Sequence, residues 1–309
     1  MKKKLISIVV PVYNEEGNII PFFAELKKAL PAKYIAEFIY VDDGSTDATL
    51  AQIKKLATLN QNVKYLSFTR NFGHQYGLKA GLDHAKGAAV ITLDGDFQHP
   101  PSLIPAMLGK WESDNYKIVF TRRRSENGHF FKNITSKIFY NLINSMSEMK
   151  IDRGSADFRL LDRVVVDLIA KSEESTLFLR GLVSWTGFAS FAIDYTPKHR
   201  SWGVSKYTFS KMMTLALDAI TSFSIVPLRI ATIIGLFMSL FSGIYGIYAL
   251  VVFLTDRSNV IIGWPSVIIS VLFIGGLQLL ILGIVGEYIG KIFLETKKRP
   301  LYIVNEKSL

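Results

Sequence analysis

The sequence predicts an α/β fold: a Rossmann-like, mostly parallel sheet over residues 1–205, followed by a two-helix transmembrane hairpin within 229–290. Three observations carry that expectation. Apolar strand-like runs alternate with amphipathic stretches through the first half of the chain. Several of those runs are continuous rather than alternating, as in strands covered on both faces. Two long segments near the C-terminus carry no charge at all.

The first run, 5–12, follows Lys2, Lys3 and Lys4. It is short, contains Pro11, and leads into Asn14-Glu15-Glu16 with no small-residue cleavage site. It therefore reads as a buried strand and not as a secretory leader. Further strands are expected at 37–41, 63–68, 88–93 and 117–121, with helices at 19–30, 48–59, 76–85 and 101–112 between them. Such βαβ units build a parallel sheet that binds ligands at the carboxyl ends of its strands. The residues that directly follow the strands are the candidates for chemistry.

No residue between Arg229 and Asp256 is charged, and none between Arg257 and Glu287. Each stretch exceeds the roughly 20 residues that cross a bilayer as a helix. Spans are expected at 230–254 and 265–288, joined by a short connection and therefore antiparallel. Lys198, Arg200, Lys206, Lys211 and Arg229 precede the first span, and Lys291, Lys297, Lys298 and Arg299 follow the second. The connection holds only Arg257, offset by Asp256. The positive-inside rule then puts both ends, and the N-terminal domain, on the cytoplasmic side. Residues 206–228 read as an amphipathic segment along the membrane surface, and 291–309 as a cytoplasmic tail.

The formal net charge is +10. Nothing resembles a nucleic-acid-binding module, so anionic lipid and phosphate-bearing substrates are the expected partners. The absence of cysteine excludes disulfides, zinc–thiolate sites and thiol nucleophiles. His74, His84, His99, His129 and His199 form no ligand-spaced cluster and are expected as surface or polar-contact residues.

Four segments carry residue types suited to chemistry. After the second strand, Asp42-Asp43-Gly44-Ser45-Thr46-Asp47 places two acids at a strand tip, ahead of a tight turn and helix-capping hydroxyls. Those acids could accept hydrogen bonds from a base or a ribose. After the fourth strand, Asp94-Gly95-Asp96-Phe97-Gln98-His99-Pro100-Pro101 sets two carboxylates one residue apart. Both can meet one hard cation, and Gln98 adds an oxygen donor. Arg122-Arg123-Arg124 after the fifth strand is either a solvated charge run or a phosphate contact. Arg200, Ser205 and Lys206 around Gly203 could wrap a phosphate, or simply anchor the chain beside the membrane.

Pro11-Val12-Tyr13-Asn14-Glu15, Asp42 to Asp47, Arg70-Asn71-Phe72-Gly73 and Asp94 to Pro101 together resemble a family 2, GT-A-fold glycosyltransferase. More narrowly, the chain is similar to polyisoprenyl-phosphate glycosyltransferases, the dolichol-phosphate mannose synthase and bacterial bactoprenol glucosyltransferase (GtrB-type) group. The two-span hairpin matches the bacterial branch. The resemblance implies that Pro11, Tyr13, Glu15 and Asp43 contact the nucleoside, and that Asp94 sits by the donor. It implies that Asp96 and Gln98 bind Mg²⁺ or Mn²⁺, and that Arg200, Ser205 and Lys206 close over phosphates. Asp157 matches an acidic residue that the family brings to the sugar, as a base or as an orienting group. A phosphate acceptor has a second pKa of about 6, so it needs little help losing a proton.

The activity so implied is inverting transfer of one sugar, glucose or a related hexose, from a nucleotide-sugar expected to be UDP-linked. The acceptor is a polyprenyl phosphate such as undecaprenyl phosphate, at the cytoplasmic face of a bacterial inner membrane, for cell-envelope glycan modification. The resemblance also suggests a homotetramer. A processive polysaccharide synthase of the same fold would carry a Q-x-x-R-W motif, which Trp111, Trp185, Trp202 and Trp264 do not form. A non-catalytic scaffold would not need Asp94, Asp96 and Gln98. A nucleotide-binding oxidoreductase would show G-x-G-x-x-G after its first strand.

Overall fold

The computed structural model describes residues 3–123, 154–174, 177–196, 224–255 and 263–308. Two compact units divide them. The first takes 3–123, 154–174, 177–196 and 299–308; the second takes 224–255 and 263–298.

The first unit is a three-layer α/β domain. Its strands are β1 (Leu5–Val12), β2 (Ile35–Asp42), β3 (Val63–Phe68), β4 (Ala89–Thr92), β5 (Ile118–Arg123), β6 (Ser155–Asp162), β7 (Ser190–Tyr195) and β8 (Val304–Lys307). They form one sheet in the order β7-β5-β6-β4-β1-β2-β3-β8. The pairs β1–β2, β1–β4, β2–β3 and β5–β7 are parallel. The pairs β4–β6, β5–β6 and β3–β8 are antiparallel. The sheet is thus mostly parallel, with β6 as the strand that reverses direction inside it. The order turns around between β1 and β4, the position where doubly wound sheets open a ligand crevice.

Helices cover both faces. On one side α1 (Ile19–Ala29), α2 (Thr49–Leu59) and α4 (Ile104–Ser113) set Phe22, Leu26, Ile53, Ile104 and Met107 against Ile6, Ile8, Val10, Phe38 and Ile91. On the other, α3 (His74–His84), α5 (Arg163–Ala170) and α6 (Leu179–Trp185) set Leu78, Val165, Ile169 and Leu182 against Val9, Ile39, Val41 and Val90. Because β1 is buried on both faces, its run is continuous rather than alternating.

Within this unit the sequence shows β1 to β5 and α1 to α4, but not β6 to β8, α5 or α6. Strand β6, Ser-Ala-Asp-Phe-Arg-Leu-Leu-Asp, is buried at all eight positions despite Asp157, Arg159 and Asp162. Charged residues inside a strand hide it from hydropathy reading; here each is paired. Asp162 ends β6 and caps α5, its carboxylate accepting from the Val164 amide at 3.1 Å. The final residues form β8 on the open edge of β3 instead of standing apart as a tail.

The second unit contains α7 (Val226–Thr255) and α8 (Trp264–Thr296). Segments Val226–Tyr248 and Phe273–Thr296 within them are long and apolar enough to cross a membrane. At about 1.5 Å per residue, either helix outreaches the roughly 30 Å hydrocarbon layer. Their large apolar side chains point outward: Phe237, Phe241, Leu279 and Leu282 are all exposed. The Tyr288 hydroxyl donates to the Ser224 carbonyl at 2.6 Å, so the end of α8 lies beside the start of α7. That arrangement is the antiparallel hairpin expected from the short connection.

Candidate active site

The carboxyl edge of the parallel strands collects most of the candidate residues. Strands β1 and β4 run side by side in the same direction, so the chain leaves both at one edge. Strand β6 runs against β4 with Thr92 opposite Arg159, which brings its start to that edge. Asp94 lies two residues past Thr92 and Asp157 two residues before Arg159, so both belong to that edge. The Thr92 hydroxyl fastens the junction by donating to the Asp157 carbonyl at 2.7 Å.

His74, the first residue of α3, lies between the two carboxylates. Its Nε2 is 2.6 Å from Asp94 Oδ1, and its Nδ1 is 3.9 Å from Asp157 Oδ2. Burial opposes its charge, but the Asp94 carboxylate prevails, with help from Asp157, and raises its pKa to about 9. Asp94 Oδ2 meets His99 Nε2 at 3.0 Å. Burial would push the Asp94 carboxyl up; the two imidazoles outweigh it and hold the group well below the usual carboxylate range.

His99 is itself held. The Tyr195 hydroxyl lies 2.9 Å from its Nδ1, and Arg123 Nε donates to the same hydroxyl at 3.0 Å. A carboxylate only accepts, so His99 Nε2 donates to Asp94; in the neutral ring Nδ1 then accepts from the tyrosine hydroxyl. One chain of hydrogen bonds therefore runs from β5, through β7, to the carboxylate after β4.

Asp157 is gripped by Arg180 of α6, whose Nε and Nη2 each approach a different carboxylate oxygen at 2.8 Å. Gln75 Nε2 adds a contact at 3.4 Å, while Gln75 Oε1 accepts from the Leu179 amide at 3.1 Å. Burial alone would raise the Asp157 pKa; Arg180 outweighs it, with Arg159 and His74, and holds it at about 2. A carboxylate so paired makes a weak base and a well-oriented acceptor.

Asp43 is buried at the tip of β2, where its two oxygens accept from the Phe72 and Gly73 amides at 2.7 and 2.9 Å. Gly73 has φ of 112°, a conformation suited to glycine. Burial raises the Asp43 pKa, and the two amides offset only part of that. Asp42 instead braces the strand end, accepting from the Ser67 hydroxyl at 2.8 Å and from the Ser45 amide at 3.1 Å. Of the two adjacent acids, only Asp43 binds the loop at the site's edge.

The turn after β1 carries Tyr13, exposed, and Glu15, half-buried. Asn14 (φ 54°) ties that turn to the next loop: its amide donates to Ser45 Oγ at 3.0 Å, and its Oδ1 accepts from the Thr46 amide at 2.9 Å. Pro11 is buried, and Gly77 of α3 leaves it room, since an added Cβ would come within 3.1 Å of the proline Cβ. Proline here shapes the floor under the turn.

Asp96 and Gln98 flank Phe97, which takes φ of 60° and sets its ring edge-on to Phe22 at 5.1 Å. The Gln98 amide donates to Asp96 Oδ1 at 3.1 Å, closing a tight turn. Among the described residues no group of three or more His, Asp or Glu side chains could hold a metal ion. The turn nevertheless offers two hard oxygen donors, the Asp96 carboxylate and the Gln98 amide. Mg²⁺ ordinarily takes one or two carboxylates and completes its shell with substrate phosphates and water, and Mn²⁺ favours the same donors. The donor set fits such an ion beside a diphosphate.

Arg122, half-exposed, forms a two-point pair with Asp194 of β7, at 2.6 and 3.1 Å. The parallel register of β5 and β7 puts the two residues opposite each other, and charge complementarity does the rest. Arg200, Ser205 and Lys206 lie outside the described residues.

With this geometry, sequence comparison becomes decisive. The profile described as Glycosyl transferase family 2 matches residues 7–168. The chain belongs to that family. It is a glycosyltransferase, and its relatives match nearly end to end. It is 43% identical over 306 residues to the bactoprenol glucosyl transferase of Shigella phage SfV, covering 98% of this chain and 99% of the relative. It is 42% identical over 304 residues to a prophage bactoprenol glucosyl transferase homolog of Escherichia coli K12, covering 97% and 98%. Among solved structures it is similar to the mannosyltransferase PcManGT from Pyrobaculum calidifontis, in complex with GDP-Man and Mn²⁺. That match has 16% identity and a TM-score of 0.48, over 72% of this chain and 64% of the other.

In the transferase, then, the edge unites Asp94, Asp157 and Asp43 with His74 and His99, expected only as surface or polar-contact residues, and with Gln75, Arg180 and Tyr195, which the sequence did not single out. Two of these had a signal, since His74 directly follows Arg70-Asn71-Phe72-Gly73 and His99 sits between Gln98 and Pro100. Arg180 and Tyr195 belong to elements that hydropathy does not reveal.

Proposed function

We propose that the chain transfers a single hexose, with glucose as the leading case, from a UDP-sugar to a polyprenyl phosphate, with inversion at the anomeric carbon. The observation that carries this reading is the Asp94–His74–Asp157–Arg180 array at the carboxyl edge, in a chain alike to bactoprenol glucosyl transferases over nearly its whole length. Tyr13, Glu15 and Asp43 border the nucleoside, over the floor set by Pro11. Asp94 keeps free lone pairs after binding two imidazoles and takes a hydroxyl of the donor sugar. Asp96 and Gln98 hold a divalent metal, Mg²⁺ or Mn²⁺. When bound, that ion supplies charge neutralisation to the departing diphosphate.

The acceptor phosphate is the nucleophile. One of its oxygens forms a bond to the anomeric carbon as the bond from that carbon to the UDP oxygen breaks. With a second pKa of about 6, the phosphate is already largely ionised at neutral pH. Asp157, held at about 2, has no proton to take and instead orients sugar hydroxyls. Arg200, Ser205 and Lys206 contact the phosphates, and Arg122 joins them only by leaving Asp194.

The hairpin formed by α7 and α8 sits in the bacterial inner membrane with the catalytic domain on the cytoplasmic side. This confines the search for the lipid headgroup to a plane. A homotetramer is the expected assembly. The test uses membranes containing the full chain, supplied with labelled UDP-sugars and undecaprenyl phosphate, and reads lipid-linked sugar by thin-layer chromatography. Transfer of label to the lipid is expected, and Asp96→Ala should abolish it. Undiminished turnover by that variant would remove the metal assignment, and long polysaccharide in place of a monoglycosylated lipid would favour a processive synthase.

A further inference from the structure

The last residues of the chain reach the donor side of the domain through a stack of aromatic rings. Strand β8 pairs with β3, Leu66 opposite Lys307 and Phe68 opposite Val304. Around this pairing, Lys54 meets Glu306 at 2.6 Å, and Ser308 Oγ accepts from the Tyr65 amide at 3.0 Å. Before the strand, the Ile303 carbonyl accepts from the Thr69 amide at 3.1 Å, at the first residue of the loop that follows β3. Tyr302 stacks on Phe68, with ring centroids 5.1 Å apart and planes 19° from parallel. Its hydroxyl donates to Asp83 Oδ2 of α3 at 3.0 Å. Phe68 in turn meets Phe72 edge-on at 5.7 Å.

Phe72 is the residue whose amide, with that of Gly73, grips Asp43. The same loop is pinned from its other side. Arg70 lies over the Phe72 ring at 4.1 Å, and its backbone fits against Gly44 (φ 70°), where an added Cβ would overlap it. Each contact in the series Tyr302, Phe68, Phe72, Asp43 is direct. The 69–73 loop is short and carries no secondary structure of its own between β3 and α3. Its conformation therefore depends on what packs against it.

We propose that Tyr302, with the strand that follows it, is a positioning element of the donor pocket: it sets the 69–73 loop and, through Phe72 and Gly73, the Asp43 carboxylate. The inference rests on the reading that Asp43 borders the nucleoside. It has a consequence for the chain's layout. The loop that shapes the pocket is fastened by a segment that the chain supplies only after passing through both long apolar helices. The tail is thus part of the catalytic domain, although about 100 residues separate it from β7.

The test compares full-length wild type, Tyr302→Ala and Tyr302→Phe in detergent with Mn²⁺. It reads binding of UDP, GDP, CDP and TDP by calorimetry, and donor and lipid kinetics with the nucleotide that binds. Losing one aromatic pair should weaken nucleotide binding about 2- to 12-fold. The donor KM should rise by the same factor, with kcat and the KM for undecaprenyl phosphate unchanged. Tyr302→Phe keeps the ring and should bind nucleotide as wild type does. Hydrogen exchange at the Phe72 and Gly73 amides should quicken in Tyr302→Ala without any nucleotide present.

Unchanged nucleotide affinity in Tyr302→Ala would overturn the proposal, as would a fall in kcat with no change in donor KM. Normal exchange at those two amides would do so independently of any donor. If wild type binds none of the four nucleotides, the donor reading fails and the proposal falls with it. If the exchange still quickens, the aromatic chain is real but serves something other than a nucleotide.

Discussion

Replacing Arg180 by Met isolates the energetics of the site. Arg180 donates two charge-assisted hydrogen bonds of 2.8 Å to Asp157, whose side chain is only 7% exposed. Each such bond is worth about 1.5–3 kcal/mol when fully buried. The Arg180 side chain is 34% exposed, so water replaces part of what is lost. A net cost of about 2–3 kcal/mol follows, or roughly 4–12 °C in melting temperature for a domain of this size. The pH dependence separates this cause from generic damage. Burial is the largest influence on Asp157 and pushes its pKa up; Arg180 is the main opposing group. In wild type the depressed pKa contributes stability above the unfolded value of about 3.9, lost as pH falls toward 2. Without Arg180 the folded pKa rises and that stabilisation is diminished. The deficit of Arg180→Met should be full at pH 7.5 and should shrink as pH falls from about 4 toward 2. The double variant Arg180→Met/Asp157→Asn removes the stranded charge and should recover most of the loss. Thermal unfolding of the purified full chain, followed by near-ultraviolet circular dichroism at both pH values, reads this directly. If Arg180→Met melts with the wild type at pH 7.5, or if the double variant is no better than the single, the pairing argument is wrong.

Two further outcomes follow from the same geometry. Tyr195→Phe strands the buried Nδ1 of His99, at about 1–3 kcal/mol, and lets the ring that fixes Asp94 change tautomer; kcat should fall several-fold with donor KM little changed, as measured by lipid glycosylation. Glu37 joins β1 to β2 and the turn before β4 through Ser7, Lys86 and Lys64. Burial raises its pKa, but these partners outweigh it and lower it overall. Glu37→Gln should therefore destabilise by about 1–2 kcal/mol at pH 7, with the difference fading as pH falls through and below the unfolded value of about 4.3. Denaturation at several pH values measures it.

The long apolar runs and the βαβ rhythm were plain in the chain because each depends on local composition. Strand β1 is apolar at every position but Ser7, since both its faces are covered, and Ser7 is tolerated there because Glu37 accepts from its hydroxyl. Asp94 and Asp96 were visible because the strand that delivers them ends just before them. The second half of the domain was not visible. Strand β6 carries Asp157 and Arg159 into the interior, where Arg180 of α6 pairs with Asp157 and Arg159 bonds to Ser155 and Ala156 of its own strand, so its hydropathy resembles that of a surface segment. Arg122 reads as a candidate phosphate contact because it follows a strand end; its partner Asp194 is 72 residues away.

The sequence by itself determined the class of sheet, the two long apolar helices, and which carboxylates reach the sheet's carboxyl edge. The tertiary structure alone decided the state of those carboxylates. The antiparallel entry of β6 between β4 and β5 brings Asp157 to Asp94, and α6 brings Arg180 to Asp157. A charge buried in a low-dielectric edge takes its pKa from whichever groups the fold places a few ångströms away. For Asp157 those groups are Arg180, Arg159 and His74. The same holds for the tail: as sequence it is a short segment beyond the second apolar run, and only its pairing with β3 connects Tyr302 to the loop that grips Asp43.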